Sequence, residues 1–192
     1  MKLWRTVLFL AVIGGRGFGQ SRLVDVYLNS RDASYQLLRP GTPLASEIFN
    51  KIGVRLSWHA GELPANKVGI GIRTVEHAPE SASPDALASS RLTGSTGVEI
   101  TVYKDRVQYF LSLHGNLARV AVPYVLAHEL AHAMEGVPRH SEMGIMKAHW
   151  SDLDFQAMVY HKLSFAPADV ELIHQGLVAH LGSGAPTQTA NQ

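Results

Sequence analysis

Five consecutive residues, His128-Glu129-Leu130-Ala131-His132, constrain this chain more than any other stretch. On a helix, residues four apart stand one above the other on the same face, so the two imidazoles can meet a single ion. A tetrahedral zinc site accepts such nitrogens at about 2.0–2.1 Å. Glu129 is rotated roughly 100° around the helix from His128. That is too far to share the ion easily, but it suits a carboxylate that takes a proton from an activated water. The alternative is a surface helix carrying two histidines and a glutamate with no shared purpose.

The flanking residues favour a helix with one face reserved for the histidines. Pro123 suits a first turn, where its missing N–H costs little. Val122, Leu126, Leu130, Ala133 and Met134 recur at helical spacing and are expected to face a core, leaving Val125, His128 and His132 towards a cleft. Gly136 fits the left-handed position after the last turn, and Pro138 prevents the helix from resuming. The chain then turns through Val137-Pro138-Arg139 to His140, with Ser141 next and Met146 six residues beyond. His140 is the first imidazole after the turn. His149, Asp152, Asp154 and Glu171 are the competing donors for a third ligand.

The segment HELAHAMEGVPRHSEMGIM resembles the active-site segment of the metzincin clan of zinc endopeptidases, and its H-S…G-x-x-M cadence is most similar to the matrixin type. The whole chain is similar to small bacterial secreted proteins with this spacing. The resemblance implies His128, His132 and His140 as metal ligands, Glu129 as general base and Met146 as the methionine-turn residue. Two departures stand out. Seven residues rather than five separate His132 from His140, and Gly136 falls one place late, which widens the turn without changing its sense. Ala148 stands where some branches carry a tyrosine, so one transition-state donor is missing; His149 beside it is a candidate substitute or substrate contact.

Met1–Gly19 reads as a targeting segment: Lys2 and Arg5 give a positive end, Val7–Ile13 is apolar, and Gly17-Phe18-Gly19 is a small-x-small cleavage signal. Such a run is shorter than the ~20 residues a bilayer span needs, which disfavours the alternative of an uncleaved anchor. A secreted or periplasmic bacterial protein is expected, with residues 20–181 as one metallopeptidase-like domain and 182–192 as a disordered tail. With 46% hydrophobic residues, the chain has the material for a core. A net charge of +1 offers no electrostatic case for nucleic acid or an anionic membrane. The absence of cysteine excludes disulfides, thiolate ligands and thiol catalysis. For an exported chain it also leans towards a bacterial compartment.

Strands are expected over Leu23–Leu28, Val54–His59, Lys67–Val75 and Val98–Tyr103, with a weaker one over Ala86–Leu92. A helix over Ser34–Lys51 is interrupted by Pro40-Gly41, which moves its start towards Thr42, and Asp105 is expected to cap a short helix reaching Leu113. Leu153–Tyr160 forms a short segment, and Pro167–Leu181 a closing helix. The β-α-β-β-β-β order followed by helices indicates an α/β (α+β) sandwich built on a mixed sheet. Metzincin catalytic domains share that order, and the resemblance makes Ala86–Leu92 the antiparallel edge strand above the cleft. Gly69 and Gly71 form only part of a phosphate-loop pattern, which is discarded. His59, His77, His114, His161, His174 and His180 lack metal spacing, and Met143, like Met146, also suits plain core packing.

The expected activity is peptide-bond hydrolysis by a monomer acting on peptide or protein substrates, with zinc as cofactor and Glu129 moving the proton. Two alternatives stay open: a non-catalytic zinc-binding domain, and a gluzincin-like peptidase with Glu171 as third ligand.

Overall fold

Alternating apolar residues build the sheet. Val24, Val26 and Leu28 are buried along β1 (Arg22–Leu28), as are Ile70 and Ile72 along β3 (Gly69–Val75), so each strand commits one face to the core. A computed structural model describes residues 21–31, 35–84, 86–93 and 97–180; the expected leader and tail lie outside the described residues. With β2 (Val54–Ala60), β4 (Ala88–Thr93) and β5 (Gly97–Tyr103), the strands form one five-stranded sheet in the order β2-β1-β3-β5-β4. The pairs β1–β2, β1–β3 and β3–β5 are parallel, and the edge strand β4 runs antiparallel to β5. The architecture is therefore mixed α/β. On the outer face of the sheet, Gly69, Gly71 and Gly97 leave room for Leu63, whose side chain lies 2.9–3.3 Å from where their β-carbons would be. That is why the two β3 glycines lie within a strand rather than in a ligand loop.

The first helical segment is broken where the sequence indicates. Helix α1 (Tyr35–Leu38) passes through a 3-10 turn (Arg39–Gly41) into α2 (Thr42–Asn50), with Pro43 in its first turn. Helix α3 (Lys104–His114) follows β5 directly. Asp105 does not cap it. Tyr103 occupies the cap position, and the Asp105 carboxylate instead accepts from the Arg106 amide at 2.7 Å, inside the first turn.

A 3-10 turn (Gly115–Leu117) then leads into α4 (Ala118–Glu135), which carries the two histidines. Pro123 is not in its first turn: the helix begins five residues earlier and Pro123 lies inside it. The lost hydrogen bond falls where Gly41 packs in, because a side chain at Gly41 would press on Val122, Leu126 and the Pro123 nitrogen at 3.1–3.2 Å. Tyr124, Leu126, Leu130, Ala131 and Met134 are buried on several sides of α4, so it is the central helix of the core rather than an amphipathic surface one. Among the described residues no helix is long and apolar enough to cross a membrane.

Two further helices close the core, α5 (Asp152–Val159) and α6 (Pro167–His180). Ser151 and Asp154 form a reciprocal capping box at the start of α5. Helix α6 crosses the end of α4 at a glycine: a β-carbon on Gly176 would collide with the Met134 carbonyl. That backbone atom cannot rotate away, so Gly176→Ala should destabilise the fold by about 1–3 kcal/mol, the usual penalty for overpacking. Urea unfolding of the variant beside the parent measures this; an unchanged midpoint would mean the helices can separate freely.

Candidate metal centre

The left-handed Gly136 (φ 69°) ends α4 abruptly, its amide donating to the His132 carbonyl at 3.0 Å. The chain folds back over the last turns of the helix and brings His140 beside the two helical histidines. One ring nitrogen from each of His128, His132 and His140 lies within 4.8 Å of the others. The ring centres of His140 are 5.3 Å from His128 and 5.1 Å from His132.

The donor chemistry fits a divalent cation that accepts imidazole. His128 Nδ1 donates to the Ile145 carbonyl at 2.8 Å, which leaves its Nε2 as a lone-pair donor. His132 Nε2 lies 3.0 Å from that same Nε2. Only one of the two can carry a proton in such a contact, and a cation would replace it with two coordinate bonds. The other His132 nitrogen is buried without a partner at hydrogen-bond geometry, although the Val137 backbone stands near enough to favour its proton. Burial keeps both rings neutral. It pushes His128 down to about 4, with His140 adding to the effect, and His132 down to about 3, with His128 and His140 assisting. His140 is exposed, yet partial desolvation first, then His149 and Arg139, lower it as well.

A cleft of about 880 Å³ opens over these rings, lined by His128, His132, His140, Glu129, Val125 and the edge strand β4. Glu129 keeps some surface open to the cleft, but dense packing around its carboxyl pushes it up to about 7. Met146 is fully buried and Met143 is 64% exposed, so of these two Met146 is the one in the core. The turn containing Met146 reaches the site through the Ile145 carbonyl, which also accepts from Trp150 Nε1 at 3.2 Å. Trp150 packs edge-on against His128 at 5.8 Å.

The remaining candidates separate cleanly. His149 lines the cleft. Asp154 caps α5 and pairs with Lys147, and Asp152 lies exposed in the first turn of that helix. Glu171 is exposed on α6, where it accepts from Gln175 at 3.1 Å, and it does not join the histidine cluster. His59 bonds Asp25, His77 bonds Asp105 and His174 bonds the Ile52 carbonyl, all outside the cleft lining. The side chains of His114 and His180 lie outside the described residues. Sequence reasoning missed three contributors, the Ile145 carbonyl, Trp150 as a ring contact and the Arg139–Asp169 pair, because each acts through a contact between separate elements.

No family model matches the chain, and no curated protein does. Among solved structures, a chain of the GM1-bound form of the ECX AB5 holotoxin is 10% identical over 84% of this chain and 80% of that one, with a TM-score of 0.41. A likeness at that level carries no argument about activity.

The buried groups define the acid response of the metal-free protein. Below pH 6.5 the unfolded chain protonates His128 and His132 before the folded one does, so these two lose stability as pH falls. Glu129 and Glu135, both raised from 4.5 to about 7, act oppositely, since the folded state takes their protons first and gains stability as pH falls through that window. The two raised carboxyls oppose the lowered imidazoles, His140 included, between pH 6.5 and 4.5, and below 4.5 they no longer offset them. The thermal midpoint of metal-free protein should therefore fall more steeply below pH 4.5 than above it. A decline of equal steepness from pH 6.5 downward, measured by calorimetry, would show that the carboxyls are not raised.

Proposed function

We propose that the protein is a zinc-dependent endopeptidase of the metzincin type, exported from a bacterial cell, with His128, His132 and His140 as ligands and Glu129 as general base. The observation that carries this reading is the convergence of three neutral imidazoles at the wall of an open cleft that also holds the Glu129 carboxyl. Zinc held by the three rings would polarise a scissile carbonyl and acidify a water. Glu129, held near neutrality by burial, takes a proton from the attacking water and delivers it to the departing amine nitrogen. The Ile145 carbonyl keeps the His128 proton on Nδ1 and so aims the other nitrogen at the ion. Edge strand β4 supports a peptide as substrate: its free side borders the cleft at Ala88, Ser89, Ser90 and Arg91, where an extended chain can pair with it. A purely structural zinc site has little use for a base in an open cleft and ordinarily closes its fourth position with protein.

Purified protein should contain one zinc per chain and cleave members of a broad peptide library. Glu129→Gln should retain the zinc while kcat falls by about 10²-fold or more, the range for loss of a general base. Near-parental turnover in that variant would remove Glu129 from the mechanism.

Ligand identity is tested separately. His140→Ala should weaken zinc binding by more than the roughly 10–100-fold typical of groups that merely support a ligand, whereas Glu171→Ala should bind like the parent. Competition against a chromophoric chelator measures both. The opposite order would make the site gluzincin-like.

A further inference from the structure

The loop that presents His140 has little apolar burial to hold it. Val137, Pro138, His140, Glu142 and Met143 are all exposed. Its grip comes from either side of the histidine. Arg139 Nη2 donates to Asp169 Oδ1 at 2.5 Å, and the Ser141 hydroxyl donates to the same oxygen. The Arg139 guanidinium also donates to Ser141 Oγ at 3.0 and 3.1 Å, closing a triangle around the backbone of residue 140. Asp169 is fully buried in the first turn of α6, and its second oxygen accepts from the Ala166 amide at 3.1 Å. A carboxylate at that helix end is favourable in its charged form, and a bond to a charged donor is about twice as strong as a neutral one. We propose that Asp169 is the positioning residue of the metal centre: it clamps the loop from α6 by binding both neighbours of His140. This rests on the reading of His140 as a metal ligand.

A second buried carboxylate provides the internal comparison. Glu135, the last residue of α4, lies on the other side of Arg139, with its nearest oxygen 3.9 Å from Nε. Neither of its oxygens has a hydrogen-bond partner. An amide at position 169 loses the charge that binds Arg139 and must turn its NH2 either towards the triangle or against the Ala166 amide, while an amide at 135 removes no hydrogen bond. Two isosteric substitutions flanking one arginine should therefore give opposite results.

The test uses the full purified chain, with zinc affinity measured against a chromophoric chelator and the visible spectrum recorded after cobalt replacement. Asp169→Asn should keep the parental near-ultraviolet circular dichroism, bind zinc about 10–100-fold more weakly, and shift the cobalt bands as His140 loosens. Glu135→Gln should stay within about threefold of the parent, less than half of a tenfold step in free energy. A folded Asp169→Asn with parental affinity and an unchanged cobalt spectrum would overturn the proposal, since a merely structural residue would leave that spectrum alone. If Asp169→Asn fails to fold, Ser141→Ala opens the same triangle from the loop side; weakened zinc binding there supports the clamp and parental binding overturns it. If the parent itself binds no metal, the ligand assignment fails on its own. The clamp is then decided by NMR of the metal-free protein. Averaged or broadened His140 ring signals in the variant support it, and unchanged signals refute it.

Discussion

Burial of α4 on nearly every side is the constraint that creates the candidate site. A helix whose Tyr124, Leu126, Leu130, Ala131 and Met134 are almost fully enclosed has no hydrated face on which to place charges. His128, Glu129 and His132 lie where α4 meets the cleft. Desolvation there disfavours every charged form, which moves imidazoles down and carboxyls up together. A set of neutral nitrogen donors beside a carboxyl that titrates near neutrality is thus a consequence of packing, with no special residue needed to tune it.

The second constraint is the abrupt end of that helix. Gly136 reverses the chain, and the segment from Ser141 to Met146 is held by buried Ile145 and Met146 and by backbone hydrogen bonds at both ends. The Ser141 amide donates to the Met146 carbonyl at 2.7 Å and the Ile145 amide to the Ser164 carbonyl at 3.0 Å. The Ile145 carbonyl then faces His128 and Trp150. Helix α6 serves this arrangement twice. Gly176 lets its backbone reach the end of α4, and Asp169 grips the loop from the opposite end of the same helix. Contacts made by a main chain and a buried carboxylate define direction better than a few exposed methyl groups would.

The sheet contributes shape. Its parallel strands are covered on the core face by helices and partly on the outer face by Leu63, which leaves β4 as the one strand with a free edge beside the cleft. Helix α3, placed between β5 and α4, adds Phe110 and Leu113 to the cleft wall, and Phe110 packs against Trp150 with ring centres 6.4 Å apart.

Much of this was legible in the residues themselves. The apolar set Val122, Leu126, Leu130, Ala133 and Met134 is buried, and Val125, His128 and His132 line the cleft, as helical spacing requires. The strands arise from alternation, and the helix end from Gly136 and Pro138. Two local signals misled: Pro123 lies inside its helix rather than at the start, and Asp105 bonds its neighbour rather than capping. In each case packing outweighed a preference of a few kcal/mol or less. By itself, the sequence determined which side chains share a face, because helix and strand periods are set by local backbone geometry. Only the tertiary structure decided where His140 comes to rest, how deeply Glu129 is desolvated, and that Asp169 meets Arg139 and Ser141. Those outcomes depend on the approach of elements far apart in the chain, and no local period encodes the distance between them.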